Sequence, residues 1–322
     1  MRERVLVDVT ALAADLQLGG GADPAEGRPV VLDVRWALGM TDGHDQYRAG
    51  HVPGAVYVDL ETELAAPASS AAGRHPLPSA SAFQQAARRW GVSGDSRVVV
   101  YDSVGGTSAA RAWWLLRYFG VPDVRILDGG LAAWTARGLA LEPGDVMPEP
   151  GDVVVRPGGM PVLDADEAAA LADGDGVLLD ARAAERYRGE VEPVDPQAGH
   201  IPGAASAPTT ENLRVDGRFL PTADLRRRFG GLGVSTGSTS GGAGSTSGGA
   251  GSTSGEAGST GDDVASLVVG VYCGSGVTAS HEVAALAVAG VDAALYPGSW
   301  SQWSNDPARE VATGGVTEAV RR

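Results

Sequence analysis

The feature that most limits what this chain can become is its internal repetition. VVLDVRW (30 to 36) is followed by YRAGHVPGAVYVD (47 to 59), RVVVYDS (97 to 103) and LDGGLAAW (127 to 134). The second half keeps the order with VLLDARA (177 to 183), QAGHIPGAASAP (197 to 208), LVVGVYCGSG (267 to 276) and LYPGSWSQW (295 to 303). Asp33 and His51 stand 18 residues apart where Asp180 and His200 stand 20 apart, and Asp102 to Trp134 spans 32 where Cys273 to Trp303 spans 30. Recurrence of several blocks in one order predicts two copies of one fold. The length of 322 residues fits two domains, at about 150 residues each.

One interval breaks the match. His51 to Asp102 covers 51 residues and His200 to Cys273 covers 73. The excess falls where GSTSGGAGSTSGGAGSTSGEAGSTGDD (237 to 263) repeats every seven residues without a large apolar side chain, and such a tract cannot bury enough surface to offset its ordering entropy. We therefore expect a first domain over 1–145, a Pro- and Gly-rich linker over 146–160, and a second domain over 161–322 interrupted by a disordered insertion at 235–263.

Within each half, short apolar runs (Val30 to Val34, Val98 to Tyr101, Val177 to Leu179, Leu267 to Tyr272) read as buried parallel strands. They alternate with helical segments at 81–91, 109–120 and 278–290, each ending in Gly. Strand and helix in alternation predict an α/β class: two tandem domains, each a parallel sheet flanked by helices.

Charge and cysteine use narrow the function. The net charge of −15 and pI near 4.7 argue against nucleic acid or an anionic membrane surface as partner, and no run nears the roughly 18 apolar residues of a membrane span. No signal-peptide pattern opens the chain, since Asp8 and Asp15 interrupt its early apolar stretch, so a cytoplasmic location is expected. Every basic residue is arginine, so a local anion site must use arginine or main-chain amides. Cys273 is the sole cysteine, which removes an internal disulfide and a multi-cysteine zinc site; no cofactor is called for.

Cys273 is either a small buried hydrophobe or a nucleophile. Its surroundings favour the second. It follows a strand and precedes GSGVTA, placing it at the carboxyl end of a sheet strand, where α/β proteins bind ligands. Gly274, Ser275, Gly276, Val277 and Thr278 can turn their amides toward one point at a helix start, a nest that suits an anion and favours thiolate. A phosphatase loop would need arginine six residues after the cysteine, where Ala279 stands, and the next arginine is Arg309. Sulfur transfer through a persulfide remains.

These residues resemble the tandem-domain rhodaneses, and within them the 3-mercaptopyruvate and thiosulfate sulfurtransferases. CGSGVTA (273 to 279) resembles the mercaptopyruvate branch, YRAGHVPGAVYV (47 to 58) the amino-terminal signature, and YPGSWSQW (296 to 303) the carboxy-terminal one, with Gln302 where Glu is usual. The resemblance implies a catalytic second domain and an inactive first copy, in keeping with Asp102 at the position of Cys273. It implies Arg186, with Arg182 beside it, as holders of a small anionic sulfur donor, although pairing with Asp180 and Glu185 is the structural alternative. Val194 stands where mercaptopyruvate enzymes often carry another arginine. It also implies Ser275 polarising the donor, supported by a His and an Asp from the first domain, for which His51 and Asp42 are the candidates. A loop-fixing role is the alternative for His51 and the favoured one for His200. GRHPLPS (73 to 79) is a first-domain segment that could reach across the interface. The expected acceptor is cyanide, a small thiol or a thioredoxin-like protein. The competing function is a persulfide carrier that works mainly by binding proteins.

Overall fold

Runs of β-branched residues too short to be helices, bounded by turns, become strands, and the intervening Ala-rich segments become helices. The structure, a computed structural model, describes residues 1–16, 27–235 and 269–315. The expected insertion at 235–263 lies, apart from its first residue, outside these. Among the described residues the strands are β1 (Leu6–Val7), β2 (Val30–Asp33), β3 (Val56–Tyr57), β4 (Arg97–Tyr101), β5 (Asp123–Leu127), β6 (Val177–Asp180), β7 (Ala205–Ser206), β8 (Val269–Tyr272) and β9 (Ala294–Leu295).

They form two parallel sheets, ordered β1-β5-β4-β2-β3 and β7-β6-β8-β9. Read from the other end, β3-β2-β4-β5 is the order β7-β6-β8-β9, so the repetition in sequence is a repetition in topology. The first sheet adds β1 beside β5, while Val162 makes a lone parallel bridge at the matching edge, to Leu295 in β9. Parallel strands are covered on both faces. Val98 and Val100 enter the core that runs between the halves, whereas Val99 and Tyr101 pack outward against Trp134. In the second sheet Val271 and Cys273 take the inner side and Tyr272 the outer, with Trp300 and Trp303.

The inner faces meet through two equivalent helices. Thr107–Tyr118 follows β4, Val277–Ala289 follows β8, and they pack against each other. The second is buried on nearly all sides, as its run of Ala, Val and Leu requires. Its three buried polar residues find partners: Ser280 Oγ donates to Gly276 O (2.9 Å), Glu282 accepts from Arg228 (3.0 Å) and Asn212 (2.6 Å), and His281 Nδ1 meets Thr209 Oγ1 (2.7 Å), while His281 Nε2 has no partner among the described residues. Because the helices pack together, the loops that precede them open onto one seam.

A polar cassette is built twice. Arg35 pairs with Asp33 and donates to Gly50 O; Arg182 pairs with Asp180 and donates to Gly199 O. His51 donates from Nδ1 to Tyr47 O and stacks on that ring at 4.2 Å; His200 does the same with Tyr187 at 3.7 Å. Both tyrosine hydroxyls donate at 2.8 Å to a carbonyl, Ala55 O and Ala204 O. The segment expected to link the halves, 146–160, lies along the first half: Gly151 N bonds Arg88 O, Val153 N bonds Val92 O and Arg156 N bonds Phe119 O. No described helix is long and apolar enough to cross a membrane.

Removing one partner of a buried ion pair strands the other. Asp180→Ala, which leaves the buried Arg182 without its carboxylate, should cost about 3–5 kcal/mol in urea unfolding, and an unchanged midpoint would contradict the role given to the cassette.

Candidate active site

The chain leaves β8 at Tyr272 and turns through Cys273, Gly274, Ser275 and Gly276 into the helix at Val277. Gly276 makes the turn possible. Its φ of +80° is left-handed, and a Cβ there would lie 2.8 Å from Pro297 O. Its N–H donates to Cys273 Sγ at 3.2 Å. The amides of Val277, Thr278 and Ala279, in the first helical turn, have no carbonyl partner within the helix. A second segment braces the loop: Cys273 N donates to Ser299 Oγ (3.2 Å), Trp300 N donates to Cys273 O (3.0 Å), and Ser301 N donates to Gly274 O (2.9 Å). Ser299 is the sole non-glycine with positive φ among the described residues, at 53°.

The first half shows what such a turn holds. At the end of β4, Asp102 is fully buried and accepts four amide bonds: Oδ1 from Val104 (2.9 Å) and Gly106 (2.8 Å), Oδ2 from Ser108 (2.8 Å) and Ala109 (3.0 Å). Burial pushes this carboxyl's pKa up and the four amides pull it back. Gly106, like Gly276, is a left-handed residue that starts its helix. The first loop carries its own anion, and the second carries a sulfur in the same place.

Cys273 is 1 % exposed and forms the floor of a cavity of about 310 Å³ at the seam. Gly274, Ser275, Val277, Thr278, Arg182 and Arg186 line it from the second half; Trp36, Leu38, Arg74 and Val104 line it from the first. Ser275 Oγ lies 2.7 Å from His75 Nδ1, and His75 Nε2 lies 3.2 Å from Glu61 Oε2. Trp36 packs edge-on against the His75 ring at 5.5 Å and donates from Nε1 to Glu61 Oε1. Burial lowers the pKa of His75, with Glu61 opposing and Arg111 and Arg74 adding to the shift.

The arginines divide by partner. Arg182 is spent on Asp180 and lies over the Trp300 ring at 4.6 Å, so the structural alternative describes its guanidinium. Arg186 pairs with Glu192 (2.6 Å) and Asp195 (3.2 Å), not with Glu185. Arg74, from the first half, also pairs with Asp195. Both overhang the loop, since a Cβ on Gly274 would come 2.9 Å from Arg74 Nη2 and 3.5 Å from Arg186 Nη1. Burial raises the pKa of Asp195, against the pull of Arg74, while the Asp195 amide and Arg186 bring that of Glu192 below its usual range in spite of burial.

Two expected residues are elsewhere. His51 is fully buried in the first half's cassette, its Nδ1 committed to Tyr47 O. Asp42 is exposed beside the helix Gly43–Ala49, accepting from Gln46 Nε2 at 3.1 Å. The group that faces Ser275 is His75, with Glu61 behind it on the far ring nitrogen. The physical reason is the duplication: His51 sits in a repeat block and does what His200 does, whereas GRHPLPS (73 to 79) repeats as GRFLPT (217 to 222) with Phe219 where the first half has His75. That difference between the copies was the signal in the sequence. His281 lies on the buried side of its helix, its pKa pushed down to about 4 by burial.

A histidine whose pKa is lowered on folding stabilises the fold while neutral, above its unfolded value of about 6.5, and that contribution is lost as pH falls through the folded value. Imidazole NMR should show His75 protonating only below pH 6.5, and Glu61→Gln should move the transition lower still. A transition above 6.5 would contradict the geometry.

Comparison with known proteins adds three observations. The rhodanese-like domain family matches residues 22–137. A Mycobacterium tuberculosis protein named for thiosulfate sulfurtransferase activity is 44% identical over 318 residues, covering 97% of this chain and 98% of the relative. A Pseudomonas aeruginosa protein named for 3-mercaptopyruvate sulfurtransferase activity is 46% identical over 290 residues, covering 88% and 92%. The crystal structure of SseA from Escherichia coli, described as the rhodanese fold of the 3-mercaptopyruvate enzymes, superposes with a TM-score of 0.69 at 32% identity, over 92% of this chain and 98% of that one.

Proposed function

The chain belongs to the rhodanese family and is a sulfurtransferase, and from that premise we propose that it carries a sulfane sulfur from 3-mercaptopyruvate through a persulfide on Cys273 to a thiol-type acceptor. The observation that carries the reading is the sulfur of Cys273 at the cavity floor, receiving the Gly276 amide at the start of a helix.

The Cys273 thiolate attacks the donor sulfur. An S–S bond forms and the donor's C–S bond breaks, its electron pair passing into the carbon chain as the enolate of pyruvate. The proton originally on the donor thiol ends on that carbon, giving pyruvate, and Cys273 keeps a persulfide anion. The loop amides hold this anion as those of the first half hold the Asp102 carboxylate. Ser275 donates to the carbonyl oxygen where charge develops, and His75, neutral and aligned by Glu61, fixes the hydroxyl and mediates its proton. Arg186 and Arg74 receive the donor's carboxylate. An acceptor thiolate then takes the outer sulfur and restores the Cys273 thiolate, which is a thiol exchange. Cyanide, a small thiol or a thioredoxin-like protein would each serve in this step, and a cytoplasmic setting suits a chain with one thiol.

The same site could accept thiosulfate. Two observations favour mercaptopyruvate: Ser275 and its histidine have a role with a ketone and none with a sulfonate, and Arg74 and Arg186 are already balanced by Asp195 and Glu192, which suits a monoanion better than a dianion.

Cys273→Ser should abolish turnover of either donor, and mass spectrometry of the wild type after donor treatment should find one added sulfur atom on the peptide carrying Cys273. Turnover by the serine variant would sink the proposal. His75→Ala and Ser275→Ala should each lower kcat with 3-mercaptopyruvate by about 10², with a smaller loss for thiosulfate; equal losses would remove the ground for the donor choice.

A further inference from the structure

Arg111 lies on the helix Thr107–Tyr118 of the first half and is fully buried. Among the described residues no carboxylate pairs with it. Its guanidinium donates only to main-chain carbonyls: Leu64 O (3.2 Å), His75 O (2.9 Å) and Pro76 O (3.4 Å) on one side, and Gly276 O (3.4 Å), in the cysteine loop, on the other. A buried charge without a counter-charge is costly, and proteins tolerate one where a second charge is close.

The charges around it are otherwise matched. Arg182 faces Asp180, Arg186 and Arg74 face Asp195 and Glu192, and Arg228 faces Glu282. His75 and His281, both held low by burial, are neutral at pH 7, and Glu61 is half in solvent beside His75. Among the described residues, the one titratable group left to offset the Arg111 charge is the thiol of Cys273, whose loop Arg111 touches through Gly276 O (3.4 Å). Burial brings the guanidinium down to about 10, with Cys273 the one group opposing the shift.

We propose that Arg111 is a positioning residue of the sulfur-transfer site: its unpaired buried charge is balanced by the Cys273 thiolate or persulfide, and its fork ties the carbonyl of His75 to the carbonyl of Gly276. The proposal deepens the sulfurtransferase reading and rests on it. One guanidinium thus serves both halves. It holds the segment that carries His75 against the loop that carries Ser275, fixing their contact, and it favours the charged form of the sulfur on both sides of the transfer step.

Cys273 is the only thiol, so alkylation of the full chain by iodoacetamide reads its ionisation directly. In Arg111→Met the rate at pH 7 should fall about tenfold and the rate–pH curve move upward by about one unit; Arg111→Lys, which keeps the charge but not the fork, should restore the curve while kcat stays low at unchanged KM. Folded Arg111→Met with the wild-type curve overturns the proposal, as does an equal displacement in Arg111→Lys. Should Arg111→Met not fold, Cys273→Ser decides: loss of the counter-anion should lower its melting temperature by a few degrees at pH 8, and an unchanged value overturns the proposal. A wild type that gains no sulfur from donors yet shows these alkylation shifts would sink the enzymatic reading alone.

Discussion

Two helices packed against each other determine where chemistry can occur in this molecule. Each helix begins where a central strand of its sheet ends, so its packing fixes the direction in which the preceding loop opens. Thr107–Tyr118 and Val277–Ala289 bury one another, and the loops of Asp102 and Cys273 therefore face a common seam. Ligand sites at the carboxyl ends of parallel strands follow from chain direction. What the duplication adds is a second wall: a site belonging to one sheet is closed by the loops of the other.

The seam also shows how one backbone device answers to two side chains. A turn that gathers amides at a helix start needs a negative group there, because several N–H donors in a buried place cannot all go unpaired. Asp102 meets that need permanently with four bonds. Cys273 meets it with one, and the difference is the room left for a second sulfur. The persulfide is thus the reactive counterpart of a bond set that the first half makes structurally.

Repetition explains what was legible in the sequence and what was not. Strands at 30–33, 97–101, 177–180 and 269–272 and the three helices stand within two or three residues of their expected places, because apolar runs and closing glycines are local signals. The cysteine loop was legible for the same reason, and Arg186 does line the cavity. The partners of Ser275 were not. His51 belongs to a repeat block, and its stacking on Tyr47, duplicated by His200 on Tyr187, marks it as scaffold. His75, Glu61 and Arg74 belong to the first half, their approach to Ser275 depends on the angle between the halves, and no periodicity encodes that angle. Asp42, close to a matched motif in sequence, ended in solvent because sequence proximity to a motif does not fix direction.

The first half is therefore inactive only in the sense that Asp102 cannot carry sulfur. Between Trp36 and Arg111 it supplies the residues that align Ser275, half of the arginine pair above Gly274, and the cation beneath the loop. The second half cannot supply them itself. The first half carries a carboxylate where the second carries its nucleophile, and with its loop closed it forms the rigid wall against which the other half's sulfur is held. That division requires the interface to be as well packed as either core, and one continuous cluster of buried side chains, from Val100 and Trp113 to Val271 and Cys273, joins both sheets. Separating the halves would thus expose apolar surface and dismantle the Ser275–His75–Glu61 contact in one step, which is why a two-sheet chain must work here as a single catalytic unit.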